Sequence, residues 1–561
     1  FLPVGFMEGF LGKLFIEFAW TLAFCVLISG FVALSLTPMM ASRMVSNKSH
    51  MPNFLVKFNH YFELLRNKYL HYLNFIIDRK GRSLVLAIGF IVVLMLSILY
   101  VDKTFVPSED NGFIQVFLTG PKGSTANQSE ETLIKVEKIL ADNPDVSGYL
   151  TMSDGNSGFA FVPLKDWSLR KKSQQEICNE LNKKFSDIPG MSISAASPPS
   201  LASGGSRQPV EFMLQTSLDY KYLDEISQKF VDELSNNPIF LNVQRNLNFS
   251  EPVLDVSIDR DRAYLYGTNL EDIGNSLKYF TSGKQVSDFR MGDDIYDVML
   301  VYNLKERNDV NNIQNILIKS AKGMLPLVNV AKIDEKIAVK SYRHYNSYKS
   351  TSITSDLAPT YKITDATAAI NKILAKIIKN DEAKLEYTGE IEKMNESNSN
   401  IIIIFSLAIV FIYLVLSAQF ESFTDSLLIL LAVPFSIAGG VLILLITSNS
   451  INIYSNIGLV TLVGLITKNS IMLVEFANQL RNQGMQLKEA ILTSASLRFR
   501  PILMTTLATI FGAVPLVFAH GAGAGARNSI GLVIVGGMAI GTIFTIFAIP
   551  IIYANFKKYS R

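Results

Sequence analysis

The chain has 561 residues, 49% of them hydrophobic and only 18% charged, with a mean hydropathy of +0.26 and a formal net charge of +3. Soluble domains carry about 25% charged residues, so this composition excludes a wholly soluble, disordered or collagen-like chain. The two cysteines, Cys25 and Cys178, exclude a disulfide framework, and so small a net charge gives no reason to expect a nucleic-acid partner.

The apolar residues gather into seven blocks: Leu14–Thr37, Ser83–Val101, Asn400–Ala418, Ser426–Thr447, Tyr454–Ala477, Ile502–Ala519 and Ser529–Tyr553. Each is long enough to cross a hydrocarbon core of about 30 Å as a helix. Residues 1–41 hold the first span and the loop that precedes it. Residues 42–82 read as an amphipathic connection carrying Arg43, Lys48, Lys57, Arg66, Lys68, Arg79, Lys80 and Arg82. Arg481, Lys488, Arg498, Arg500, Lys557, Lys558 and Arg561 fall on the same side when the blocks are threaded in order. By the excess of Lys and Arg that side is cytoplasmic, which puts residues 102–398 outside.

That outer stretch opens with strand, helix, strand, strand, helix, strand. The strands are predicted at Phe113–Thr119, Val146–Met152, Gly158–Pro163 and Met191–Ala196, the helices at Ala126–Ala141 and Lys172–Phe185. This is the order of a ferredoxin-like βαββαβ unit. After a linker at Ser203-Gly-Gly-Ser206 a second unit begins, with strands at Pro209–Leu214 and Leu241–Leu247 and a helix at Leu218–Leu234. It resumes near Ser352, with a helix at Ile363–Ile378 and a strand at Lys384–Thr388, and the residues between form an insertion with a hairpin at Gly283–Met291 and Asp293–Tyr302. The fold class is therefore an α-helical membrane bundle of seven transmembrane helices plus a large α+β outer domain of ferredoxin-like units.

The motifs of an enzyme do not appear: there is no zinc-spaced Cys/His cluster, no His pair and no G-x-S-x-G elbow. Gly521-Ala-Gly-Ala-Gly525 lacks the Lys-Ser/Thr of a phosphate loop and reads as a tight turn between two spans.

Lys468 is the sharpest feature. It lies in Gly464-Leu-Ile-Thr-Lys468-Asn469, nine residues before Ala477, or roughly 14 Å along a helix, too far for its stem to reach the interface. A central lysine costs about 2.5–3.5 kcal/mol to insert, so it calls for a facing carboxylate. Glu475, Glu17, Glu421 and Asp425 all sit toward span ends or in a short inner loop. On the sixth span Arg498 and Thr505 are seven apart and share a face, and Pro501 suits a helix start. Thr505 is open to two readings, a bond within the bundle or a hydroxyl returned to its own backbone. Gly537 and Gly541, a G-x-x-x-G, read as close helix packing, and Pro434 with Gly439-Gly440 as a kink.

Pro3 and Pro38 bracket the first span 35 residues apart, Pro515 and Pro550 the last at the same spacing, and Gly9 matches Gly521 at the same offset of 512. This predicts an internal duplication whose earlier copy lies upstream of Phe1.

The runs Gly464–Asn469, Leu473-Val-Glu475-Phe-Ala477, Arg500-Pro-Ile-Leu-Met-Thr505 and Gly521–Gly525 resemble the resistance-nodulation-division efflux permeases, in their hydrophobe/amphiphile branch. So do Phe6-Met-Glu-Gly9, Gly12-Lys-Leu-Phe15, Leu27-Ile-Ser-Gly30, Pro107-Ser-Glu-Asp-Asn-Gly112 and Val162-Pro-Leu-Lys-Asp-Trp167. The chain looks like the second half of such a permease. The resemblance implies a homotrimer in the bacterial inner membrane, among lipid, that exports small amphiphilic substrates by proton antiport and needs no cofactor. A periplasmic adaptor protein and an outer-membrane channel are its implied partners. It implies that Lys468, Arg498 and Thr505 form a proton relay with two aspartates of the missing half. Residues 102–208 match one porter subdomain, 209–252 and 340–398 the second, 253–339 the docking subdomain, and 399–561 a five-helix bundle. Drug exporters of this kind carry a phenylalanine-rich switch loop where this chain has the short polar Met152–Gly158, and a further pocket phenylalanine where it reads Met191-Ser-Ile-Ser-Ala-Ala-Ser-Pro198. Stacking with flat drugs is expected to be weak here. The alternative, from another class, is a non-pumping membrane protein whose outer domain binds a partner or assists export.

Overall fold

A computed structural model of the chain describes residues 9–44, 53–78, 89, 92, 97–98, 100–107, 109–121, 124, 126–155, 157–198, 208–249, 251–303, 310–321, 323–339, 341–358, 361–378 and 382–559. Most of the expected span Ser83–Val101, the linker Ser203–Ser206 and the start of the Phe6–Gly9 run lie outside the described residues. Contacts divide the chain into two units, one of Phe1–Gly120, Thr125–Arg245 and Tyr345–Arg561, the other of Pro121–Ser124 and Asn246–His344.

In the first unit, helix α1 (Gly9–Met44) is apolar and largely uncovered, and α2 (Asn53–Asp78) is amphipathic. Tyr69, Leu73 and Ile77, four residues apart, share the buried face of α2. The Tyr69 ring stacks on Phe499 at 4.7 Å between centroids and its hydroxyl donates to the Ile546 carbonyl at 2.8 Å.

Strand β1 (Phe113–Thr119), α3 (Ala126–Ala141), β2 (Leu150–Asp154), β3 (Ser157–Pro163), α4 (Gln174–Phe185) and β4 (Ser192–Ala196) build an antiparallel sheet in the order β2-β3-β1-β4. Ile114, Val116 and Leu118 alternate inward from β1 onto Leu133, Val136 and Leu140 of α3 and Ile177, Leu181 and Phe185 of α4. Cys178 belongs to that core although it lies in a largely polar stretch, because helical spacing aligns it with Leu181 and Phe185. The Met152–Gly158 run is not a loop throughout. β2 extends to Asp154, β3 begins at Ser157, and Asp154 pairs with Ser157. Gly155 takes φ +59°, the left-handed conformation a two-residue hairpin connection requires.

β5 (Val210–Thr216), α5 (Tyr220–Ser235), β6 (Phe240–Arg245), β7 (Tyr348–Leu357), α6 (Ile363–Ile377) and β8 (Ala383–Tyr387) repeat the plan. β7 pairs with β5 and β6, and β8 with β5, so the four strands β6-β7-β5-β8 follow the order of the first sheet, and the short strand Arg343–Tyr345 adds a fifth beside β7.

Helix α7 (Gly389–Phe420) starts well before the apolar block at Asn400, so a domain boundary at 398 falls inside one continuous helix. Glu421, in the left-handed region at φ 49°, ends it. Helices α8 (Phe423–Leu430) and α9 (Ala432–Ile446) divide the next span at Leu431, since Pro434 has no N–H to offer the Leu430 carbonyl. Asp425 is therefore in the first turn of a helix, buried, and not in a loop. Asn452 caps α10 (Ile453–Asn482) by accepting from the Tyr454 and Ser455 amides. Helix α11 (Leu487–Val517) begins 15 residues before the expected Ile502, and Pro501 is internal to it. Burial of Ala490, Ile491, Ser494 and Ala495 outweighs the proline penalty. Helix α12 (Ala524–Tyr559) completes the bundle. Among the described residues, six helices are long and apolar enough to cross a membrane.

The second unit pairs Glu251–Ile258 with Ala331–Ala338 and Leu317–Ser320 with Gly323–Pro326, all antiparallel. Ala263, Ile273, Phe280, Ile318, Leu327 and Val330 make its core. Lys284–Met291 and Asp294–Leu300 form an exposed hairpin.

Candidate functional site: a polar seam in the bundle

Helix α10 places Lys468 near its midpoint, partly buried. Among the described residues no carboxylate pairs with it. Glu475 accepts instead from Gln479 at 3.3 Å. Asp425 is committed elsewhere: Lys557 lies 2.9 Å from it, Asn478 donates to it at 2.9 Å, and the Tyr553 hydroxyl bonds in turn to Asn478. That network joins α8, α10 and α12 beside a cavity of about 460 Å³ that Glu475, Gln479 and Arg481 also line.

Beside Lys468, Asn469 points inward and is fully buried. Its amide donates to Thr506 of α11 at 3.4 Å and to Thr542 of α12 at 3.3 Å, and the two threonine hydroxyls lie 3.3 Å apart. Three helices thus meet at one neutral polar seam. It is under-satisfied: Asn469 Oδ1, Ser470 Oγ and Thr545 Oγ1 are buried without a partner. Each such atom costs about 1–3 kcal/mol. A seam with spare acceptors and hydroxyl protons tolerates rearrangement better than one in which every bond is made.

The sequence-predicted residues are not brought together. Thr505 returns its hydroxyl to the Ile502 carbonyl at 3.1 Å, the local of its two readings. The Arg498 guanidinium carbon sits 4.6 Å from the centre of the Phe476 ring, and its buried Nε has no partner. Phe476 is eight residues beyond Lys468, roughly 12 Å along α10, and among the described residues neither Arg498 nor Thr505 bonds to Lys468. Sequence reading missed Asn469, Thr506 and Thr542. The one available signal was the adjacency of Asn469 to the lysine and of Thr506 to Thr505.

Residues 1–557 match the AcrB/AcrD/AcrF family. Over 563 aligned residues the chain is 31% identical to an uncharacterized transporter of Haemophilus influenzae, covering 98% of this chain and 54% of that protein. The chain thus spans about half the length of the curated relative it matches. By its family match and its apolar helices, the chain belongs to the AcrB/AcrD/AcrF family of resistance-nodulation-division permeases and is a multi-pass inner-membrane protein.

Proposed function

We propose that the chain works in a proton-driven permease that exports hydrophobic or amphiphilic compounds. The observation that carries this reading is Lys468, a charge near the middle of a membrane helix with no carboxylate paired to it among the described residues. A fixed structural ion pair would bring its partner along. An ammonium whose partner comes from another segment suits a pair that is made and broken. In this mechanism two aspartates outside the chain hold Lys468 while ionised. Protons entering from the outer side neutralise them, the pull on the ammonium weakens, and α10 shifts. The Asn469–Thr506–Thr542 seam lets α10 move against α11 and α12 by exchanging neutral hydrogen bonds, with no buried charge created. Arg498 and Thr505 join the relay only after such a shift, since at rest they are bonded locally or held over Phe476.

Around this engine the two αβ units are read as ferredoxin-like porter subdomains in the periplasm, residues 102–208 for one and 209–252 with 340–398 for the other. Residues 253–339 are the docking subdomain, the bundle has seven spans here, and the assembly is a trimer served by a periplasmic adaptor and an outer-membrane channel. The tight β2–β3 hairpin carries no aromatic at Asp154, Gly155 or Ser157, which favours small amphiphiles over planar drugs.

The test is Lys468→Met in the assembled permease reconstituted in vesicles. Substrate-dependent proton flux should disappear while the trimer persists, and Lys468→Arg should fail too, because a planar fork does not replace an ammonium. Transport that survives Lys468→Met returns Lys468 to a purely structural role, whereas absence of substrate-dependent flux from the unaltered assembled permease favours a non-pumping protein.

A further inference from the structure

Three runs distant in sequence, Pro107–Gly112, Val162–Trp167 and Gly521–Gly525, converge where the first αβ unit meets the helix ends, and the relay uses none of them. The segment 102–112 runs through this junction. Its first part is stitched to the start of α10: the Asp102 carbonyl accepts from Ile451 N at 2.7 Å, Thr104 N donates to the Ile451 carbonyl at 3.1 Å, and the Phe105 carbonyl accepts from Ile453 N at 3.2 Å. The Thr104 and Ser450 hydroxyls lie 2.7 Å apart. Asn452, the cap of α10, also donates to Ser529 of α12 at 3.2 Å. Further along, the Glu109 carboxylate accepts from Ala526 N in the first turn of α12 at 2.9 Å, where the helix dipole favours an anion.

The next residue turns the other way. Asp110 accepts from Gln174 N at the start of α4 at 2.9 Å, from the Trp167 indole at 3.0 Å, and pairs with Arg170. The Trp167 ring fills the space between two glycines in the left-handed conformation. A Cβ on Gly112 would come within 3.3 Å of the ring and one on Gly521 within 3.7 Å. The described residues of this segment therefore hold the αβ unit on one side and, on the other, the N-termini of the two helices that carry Lys468, Asn469 and Thr542.

We infer that the described residues of 102–112, with Trp167 packed between Gly112 and Gly521, form a coupling strap, in which Glu109 and Trp167 are positioning residues that make the first αβ unit follow α10 and α12 when the polar seam rearranges. Neither touches a proton or a substrate. Their effect is on how faithfully a helix displacement reaches the outer domain, so their loss should separate proton movement from export. The inference rests on the proton-coupled reading proposed above.

The experiment measures substrate exported per proton, normalised to assembled trimer, in reconstituted vesicles of the assembled permease. Glu109→Ala and Trp167→Ala should each lower that ratio by about tenfold, the size of an ordinary coupling between sites, and Glu109→Asp and Trp167→Phe should recover most of it. A mount that serves only folding would reduce the amount of trimer and leave the ratio unchanged. Should Trp167→Ala fail to assemble, Glu109→Ala at its half-buried site decides alone. An unchanged ratio in the assembled variants overturns the strap. Lys468→Met run beside them separates the two readings: its survival sinks the relay, whereas an inactive Lys468→Met with a fully coupled Glu109→Ala sinks the strap alone.

Discussion

Asp110 gathers donors from a guanidinium, an indole and the Gly112 and Gln174 amides, facing an Arg170 side chain that is only 2% exposed. Burial acts to raise its carboxyl, but the hydrogen bonds from Arg170, Gln174 and Trp167 with the Arg170 charge outweigh that and hold it below the usual aspartate range. A depressed folded-state value means the stabilisation is present above the unfolded aspartate value and is lost as pH falls through the folded one. The contribution of Asp110 to the stability of the first αβ unit should therefore hold through mild acid and fall away below about pH 3.9. Asp110→Asn should flatten that acid limb and, by leaving Arg170 buried and unpaired, cost about 3 kcal/mol at neutral pH. Denaturant melts of the detergent-solubilised protein across pH measure both. Legibility divides along the same lines at this scale. Lys468 stood out because a charge in an apolar run is costly wherever the chain folds. Asn469 did not, because its partners are 37 and 73 positions away and threonines in apolar helices ordinarily bond their own backbone.

Helix pairing between α9 and α12 depends on missing side chains. A Cβ on Gly541 would stand 2.9 Å from Ser436 Cα and one on Gly439 2.8 Å from Ile540 Cβ, while Ser436 donates to the Gly537 carbonyl at 3.1 Å. Backbone atoms cannot rotate aside, so Gly541→Ala must part the helices and should destabilise by about 1–3 kcal/mol. Gly512 of α11 has nothing within 4 Å of its would-be Cβ, and Gly512→Ala should be neutral or stabilise by up to about 1 kcal/mol. Thermal unfolding in detergent distinguishes the pair, and equal shifts for both would remove close approach as the reason for the glycine. The G-x-x-x-G spacing made this contact readable in advance. Helix ends were less so: α7 and α11 extend past their apolar blocks as continuous helices into polar sequence, where an apolar count sees nothing, and α11 carries Pro501 inside because packing of its first half outweighs one lost hydrogen bond. Most strands of the two αβ units could be read by alternation, but β2 lies at Leu150–Asp154 rather than Val146–Met152 because it is exposed along most of its length and shows no alternation, and the convergence on Trp167 could not be read, since it joins segments far apart in sequence.

Across the whole molecule, burial is uneven: α9, α10 and α12 form the packed heart of the bundle, whereas α1, α7 and α11 expose apolar side chains such as Leu34, Phe411 and Phe511. Those faces suit lipid or further membrane segments, and lipid satisfies them as well as protein does, so the chain should insert by itself. Lys468 is different, because no lipid tail supplies a carboxylate and leaving the charge unpaired costs about 2.5–3.5 kcal/mol even on the mildest scale. Insertion and activity should therefore separate. Reconstituted alone, the 561-residue chain should show neither export nor substrate-dependent proton flux. Supplying a second polypeptide that carries the facing aspartates should restore flux, and the same polypeptide with those aspartates changed to asparagine should not, although it fills the same volume. Flux in all three mixtures is the measurement. Activity from the chain alone would show that Lys468 needs no outside carboxylate, and the made-and-broken ion pair at the centre of the mechanism would have to be abandoned.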